Sequence, residues 1–274
     1  MSFLDAIFEN IFLQNALLGI GLIAVISGIV GSLLVSNKIV FLGGGVAHSA
    51  YGGIGVAFFY GFSLLLGATL SAIFVAFVLA IVKKKYAESI DTFSAILWAF
   101  GMALGVIFMN LSSNINADIE SYLFGSLLSV DNELLAILLG FDILLLFFTI
   151  CYYKEILYVS YDYEFCKLKG LKVSLISNII FAFIAIGVVL SMQISGLMLV
   201  LAMLSIPAFI ANMFVKSLSG QMIFAGILSG IFMIFGLFFA FSYNFSVGAS
   251  ITLVSIVFLG VFIFLKLVLR RLYG

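Results

Sequence analysis

A series of nine apolar runs, separated by short polar clusters, constrains this chain more than any other feature. A helix needs about 20 apolar residues to cross the hydrocarbon core of a bilayer, and each run is close to that length. Apolar residues make up 65% of the 274 residues and charged residues only 9%, against about 25% charged in an average soluble domain. This composition excludes a soluble enzyme, a nucleic-acid binder and a disordered protein. We therefore expect an all-α polytopic membrane protein, a single transmembrane domain over residues 1–274, with spans near 12–35, 39–60, 64–82, 93–111, 134–153, 173–192, 196–215, 221–241 and 247–266.

The placement of the basic residues predicts the orientation of these spans. In the nine-span arrangement every lysine and arginine falls on one side, while the opposite side carries acidic residues and no basic ones. Because basic loops stay in the cytoplasm, we expect a multi-pass protein of the cell (inner) membrane with its N-terminus outside and its C-terminus inside. The basic residues are Lys38, Lys83, Lys84, Lys85, Lys154, Lys167, Lys169, Lys172, Lys216, Lys266, Arg270 and Arg271.

Two ionisable residues are predicted to lie near the middle of the membrane. His48, the only histidine, falls in a glycine-rich part of the second run, and Asp142 falls in the fifth run. An ionisable group at this depth costs several kcal/mol unless it is paired or hydrated. The imidazole fits either a hydrogen bond across a helix interface or a metal ligand or proton relay. The carboxyl fits either a neutral, hydrogen-bonded acid or an anionic partner for a cation in transit.

The sequence lacks the common catalytic motifs. It contains no Gly-x-x-x-x-Gly-Lys-[Ser/Thr] loop for ATP, and its single histidine excludes the two-histidine zinc hydrolase motifs. It also contains no Gly-x-Ser-x-Gly nucleophile elbow. These absences favour a transport subunit over an enzyme, and any ATP hydrolysis is expected in a separate subunit.

Five ordered segments resemble the membrane permease of zinc/manganese/iron-type ABC importers. They are residues 41–58 (FLGGGVAHSAYGGIGVAF), 91–105, 122–128 (YLFGSLL), 160–170 (SYDYEFCKLKG) and 196–208 (GLMLVLAMLSIPA). In the family's span-two pattern, Gly-Asp-x-x-Ser-His-x-x-x-Pro-Gly, His48 falls on the histidine and Gly53 on the second glycine. The family's aspartate falls on Gly44, its serine on Ala47 and its proline on Gly52.

The resemblance implies a metal-contact pair made by the span-two histidine and aspartate, of which this chain has only His48. We therefore hypothesise that Asp142 supplies the carboxylate that is missing at Gly44. A histidine with a carboxylate suits Zn²⁺, Mn²⁺ or Fe²⁺. A conduit wall or close helix packing is expected at the glycines of the same segment: Gly44, Gly45, Gly52 and Gly53.

The same resemblance implies a coupling surface for an ATPase on the cytoplasmic face. Pro207, the sole proline, is predicted to break span seven, so that a short helix turns across this face with Asn212 and Lys216 on or beside it. The alternative is a simple proline kink. Asp162 and Glu164 are expected to contact the ATPase, although their charge pattern alone is typical of a solvated loop.

These expectations combine into the membrane-spanning permease subunit of an ATP-driven importer with a type II-like bundle. Its cargo is a divalent transition metal, with zinc favoured and manganese or iron possible, and no cofactor is permanently bound. The expected partners are a cytosolic ABC ATPase dimer, an extracytoplasmic metal-binding protein and a second copy of the chain, and no nucleic acid. Two alternatives stay open at this stage: a proton-coupled secondary transporter that uses His48 and Asp142 as a relay, and an ABC permease for a metal chelate.

Overall fold

The computed structural model describes residues 3–112, 125, 130–161, 166, 173–197 and 199–273. All regular secondary structure in these ranges is helical, which confirms the predicted all-α class. The helices are α1 (Phe3–Glu9), α2 (Ile11–Ser36), α3 (Val40–Tyr60), α4 (Leu64–Lys85), α5 (Ile90–Leu111), α6 (Asn132–Cys151), α7 (Tyr153–Tyr161), α8 (Val173–Ser195), α9 (Val200–Phe214), α10 (Leu218–Tyr243) and α11 (Val247–Tyr273).

Nine of these helices coincide in position with the nine predicted spans. Seven of them within the described ranges, namely α2, α4, α5, α6, α8, α10 and α11, are long and apolar enough to cross a membrane. Helix α3 has 21 residues but falls short in hydropathy because six of them are glycine. Helix α9 is apolar but has only 15 residues, since a turn with Gly196 at φ +82° precedes it. The polytopic helical architecture is therefore confirmed.

Glycines allow α3 to lie closer to α4 and α5 than side chains would permit. A Cβ added at Gly52 would lie 2.8 Å from the Gly101 carbonyl oxygen of α5. A Cβ added at Gly53 would collide with the Gly67 carbonyl oxygen of α4. In lipid, no hydrophobic attraction drives helices together, so close packing depends on small residues that let the helix backbones come into contact. Helix α3 is consequently wedged between its two neighbours, with most of its length buried.

Helix α2 forms the centre of the other half of the bundle and is distorted where its neighbours cross it. Residues Ser27–Gly31 form a π-helical turn, and all five are buried. A Cβ at Gly28 would lie 2.5 Å from the Met222 carbonyl oxygen of α10, and one at Gly31 would collide with the Leu204 carbonyl oxygen of α9. Helices α9 and α10 therefore both pack directly against the π-helical turn.

The predicted break of span seven at Pro207 is wrong, because α9 continues through the proline from Val200 to Phe214. Proline has no N–H to donate to the carbonyl four residues earlier, which here belongs to Met203. The Ser27 hydroxyl of the π-helical turn donates to that carbonyl instead, at 3.1 Å. A hydroxyl from a neighbouring helix thus replaces the missing donor, which is how membrane helices tolerate an internal proline.

Candidate functional site

His48 lies near the middle of α3 and stacks on the only tryptophan of the chain. The imidazole is half-buried, and its ring centroid is 3.8 Å from that of Trp98 in α5, with an interplanar angle of 11°. The Nδ1 atom is buried and has no hydrogen-bond partner among the described residues. The stack fixes the plane of the imidazole, and the buried nitrogen is left without a protein partner.

Sequence reasoning missed Trp98 as part of this site. The signal that could have found it is its uniqueness: it is the sole tryptophan, in the second span after the glycine-rich segment. Because α3 and α5 touch through Gly52 and Gly101, the indole comes within stacking distance of the imidazole. Only this lateral contact, which sequence spacing does not encode, brings the two rings together.

The position of the family's aspartate is closed by neighbouring side chains. Gly44 is buried, and a Cβ added there would lie 2.7 Å from Leu201 Cδ1 and 3.2 Å from Trp98 Cζ3. A carboxylate at this position would therefore need the leucine and the indole to move. Gly44 and His48 are four residues apart and share one face of α3, so Trp98 lies beside both positions.

The other glycines of this segment make close helix contacts. A Cβ at Gly45 would lie 3.0 Å from the Ser94 carbonyl oxygen of α5, and Gly52 and Gly53 make the backbone contacts described above. The Ser49 hydroxyl joins the same helices by donating to the Leu97 carbonyl oxygen at 3.0 Å. These contacts agree with the predicted close helix packing at the glycines. Their predicted role in lining the conduit stays a prediction.

Asp142 lies in a different part of the bundle from His48. Its side chain is 4% exposed, and neither carboxyl oxygen has a hydrogen-bond partner among the described residues. Helix α6, which carries it, packs on α2, whereas α3 packs on α4 and α5. The contacts of the described residues do not join the two side chains, so the Asp142–His48 pairing stays a prediction. The described residues also contain no cluster of three or more His, Cys, Asp or Glu side chains.

At the end of the bundle where the lysines gather, a hydrogen-bonded cluster joins three helices. Gln221 of α10 is 3% exposed and donates to Asn212 Oδ1 at 3.0 Å and to the Val215 carbonyl oxygen at 2.9 Å. The Ser36 hydroxyl at the end of α2 donates to Gln221 Oε1 at 3.0 Å. Asn212, which was predicted from the sequence, is therefore tied to the start of α10 and the end of α2. Gln221 and Ser36 were not predicted.

A second cluster at the same end joins α2, α4 and α7. The Lys83 ammonium donates to Asn37 Oδ1 at 3.1 Å, and the Asn37 amide donates to Ser160 Oγ at 3.0 Å. Lys216 lies exposed in the connection between α9 and α10, about two turns beyond Pro207. The remaining predicted coupling residues, Asp162 and Glu164, lie outside the described residues.

The bundle consists of long apolar helices. It buries polar clusters at one end and an ionisable ring in its interior. These features define an integral membrane protein. The model of the ABC 3 transport family matches residues 9–265, and the chain belongs to this family. The resemblance found in the sequence, to the permeases of metal ABC importers, is thereby confirmed.

Three similar proteins place the chain within the family. A membrane protein of uncharacterised function from Synechocystis sp. is 39% identical over 244 residues, covering 89% of this chain and 87% of the relative. The manganese import system permease protein ScaB of Streptococcus gordonii is 28% identical, covering 92% and 91%. The solved structure of PsaBC from Streptococcus pneumoniae in complex with Fab matches with a TM-score of 0.84 at 25% identity, covering 95% of this chain and 94% of that chain.

Proposed function

We propose that this chain is the membrane-spanning permease subunit of an ATP-driven importer whose cargo is a divalent transition metal. The observation that carries the proposal is the stacked His48, an intramembrane imidazole whose buried Nδ1 has no protein partner in the described structure. An imidazole nitrogen at membrane depth suits Zn²⁺ or Fe²⁺ in transit, and it suits Mn²⁺ where a carboxylate oxygen joins it. The name of the S. gordonii relative supports manganese as the cargo to test first. The preference for zinc expected from the sequence has no such support.

The lysine-rich end of the bundle is proposed as the cytoplasmic face that meets a separate ATPase. Gln221 ties the end of α9 to the ends of α2 and α10, so a push on the α9–α10 connection at Lys216 would be transmitted to three helices at once. Pro207 contributes by lowering the number of intrahelical bonds in α9, which makes that helix easier to bend. An extracytoplasmic metal-binding protein on the opposite face and a second copy of the chain complete the proposed importer.

The test is uptake of radioactive manganese, and of zinc in parallel, by cells that express the complete importer. His48→Ala should reduce uptake at least about tenfold, because residues that only orient a metal ligand are already worth about 10–100-fold in metal affinity or activity. His48→Phe is the matched variant, since it keeps a ring on Trp98 but removes the nitrogen. It should lose uptake equally while the protein stays folded. Asp142→Asn should impair uptake similarly if this carboxylate acts with His48, and the double variant should then be no worse than the worse single variant.

The outcomes separate this proposal from its rivals. Normal uptake with His48→Phe would contradict the ligand role. Uptake that continues without the ATPase subunit, and stops when the proton gradient is collapsed, would favour a proton-coupled transporter. Normal uptake with Asp142→Asn alone would leave His48 acting without that carboxylate.

A further inference from the structure

An open groove with a volume of about 790 Å³ runs along the bundle between α2, α6 and α10. On α10 it extends from Ser219 to Ile234, which is about 22 Å at 1.5 Å per residue. This length exceeds the half-thickness of a hydrocarbon core about 30 Å deep. The groove opens towards lipid, since Ile150 is 74% and Ile223 is 66% exposed. Branched aliphatic side chains form its walls, including Val25, Ile29, Leu146, Ile227 and Ile231.

Thr149 is one of the residues that line this groove near its lysine-rich end, and its hydroxyl is unpaired in the described structure. The side chain lines the groove and is 7% exposed, and its Oγ1 has no hydrogen-bond partner among the described residues. A helical threonine can donate to the carbonyl four residues earlier. Thr69 does so to Leu65 at 2.7 Å and Thr252 to Gly248 at 3.1 Å. Thr149 departs from this pattern, so its donor is free for an acceptor that a ligand in the groove supplies.

A cleft lined by three tyrosines and a lysine continues the groove at the same end. The cleft has a volume of about 410 Å³ and shares Tyr153 with the groove. Its lining contains one cation, Lys216, together with Tyr158 and Tyr161. The Ser219 amide donates to the Tyr153 hydroxyl at 3.1 Å, which holds this tyrosine at the boundary between cleft and groove. Tyrosines beside a lysine are typical of the headgroup level of a membrane, where an aromatic ring has an apolar body and a polar tip.

We propose that groove and cleft together form a binding site for one anionic glycerophospholipid from the leaflet at the lysine-rich end. One acyl chain lies in the groove, a glycerol-ester oxygen accepts from Thr149 Oγ1, and the phosphate lies beside Lys216. The polarity of the site matches an amphiphile, since it is apolar along about 22 Å and carries a donor and a cation only at one end. The site requires only that the chain is embedded in a bilayer, so it does not depend on the metal cargo.

The experiment uses the full-length chain in mixed micelles with equimolar phosphatidylglycerol and phosphatidylcholine, and retained lipid is read by native mass spectrometry. The wild-type chain should retain one phosphatidylglycerol in preference to phosphatidylcholine. Lys216→Ala should lower that preference about fivefold, because one lysine near a membrane surface is worth about 1 kcal/mol towards an anionic lipid. Thr149→Val keeps the shape and removes the donor, so retention of both lipids should weaken about threefold.

A filling variant and a matched control test the groove itself. At Gly230 an added Cβ meets only Ala24 Cβ, at 3.6 Å, so the side chain of Gly230→Leu can enter the groove without disturbing the helix contact. It should abolish retention. Gly260→Leu adds the same bulk on α11, where no atom lies within 4 Å of the added Cβ, and should leave retention unchanged.

Two results would overturn the lipid site. In the first, the wild-type chain retains phosphatidylglycerol and phosphatidylcholine equally, and Gly230→Leu retains as much lipid as Gly260→Leu. In the second, no variant retains lipid, and a dimer of the chain dissociates when Gly230→Leu is introduced. That result would assign the groove to a second copy. Neither readout involves metal or ATPase, so a failed uptake test leaves this inference intact and the reverse also holds.

Discussion

Replacing Ser27 by alanine should destabilise the protein only while Pro207 is present. In the native chain the Ser27 hydroxyl donates to the Met203 carbonyl oxygen at 3.1 Å, and Ser27 is fully buried. Ser27→Ala removes this donor, and Pro207 has no N–H to replace it. Pro207→Ala restores an N–H at the right place for the ordinary helical bond to Met203. The effect of Ser27→Ala should therefore depend strongly on the residue at 207.

The magnitude follows from the burial of the carbonyl. A buried acceptor left without a donor costs about 1–3 kcal/mol in soluble proteins, and hydrogen bonds between membrane helices average about 0.6 kcal/mol with a maximum near 1.7. We expect Ser27→Ala to cost about 1–1.5 kcal/mol in the native chain and less than about 0.5 kcal/mol in the Pro207→Ala background. The coupling free energy between the two positions should therefore be about 1 kcal/mol.

The assay is a double-mutant cycle on the free energy of unfolding, measured by denaturant titration of the purified chain in one detergent. Ser229→Ala is the control, since Ser229 is also a buried helical serine, 1% exposed, but its hydroxyl has no partner among the described residues. It should change the unfolding free energy by the same small amount in both backgrounds. A coupling free energy below about 0.3 kcal/mol between Ser27 and Pro207, which is within the additivity of independent sites, would refute the role given to the hydroxyl.

Two further predictions concern the family's aspartate position and the orientation. Gly44→Asp should lower the melting temperature more than Gly44→Asn, because a carboxylate packed against Leu201 and Trp98 is desolvated and neutralising it at pH 7 costs up to about 4 kcal/mol. Equal melting temperatures would mean that water, or the His48 imidazole one turn away, stabilises the carboxylate. In a chain without native cysteines, a single cysteine at Asn244 should react with an impermeant maleimide from outside the cell and one at Lys84 should not, and reversed labelling would contradict the proposed cytoplasmic side.

The sequence alone determined the protein class and the approximate positions of nine helices, and it predicts the side on which the lysines gather. These properties depend on runs of about 20 neighbouring residues, and the transfer of an apolar run into lipid is a local free energy that needs no tertiary contact. The sequence also identified His48, because a single ionisable residue among apolar ones stands out wherever its helix is placed. The family was recognisable for a similar reason, since its motifs are contiguous in the chain.

Only the tertiary structure decided which residues meet those that the sequence had singled out. The stacking of Trp98 on His48 and the closure of Gly44 by Leu201 depend on how far helices rotate and approach one another, which a hydropathy pattern leaves open because these spans are apolar on nearly all sides. The prediction that Pro207 breaks span seven was wrong for the same reason. A proline's missing donor is a local property, but its replacement by the Ser27 hydroxyl comes from a residue 176 positions away from Met203.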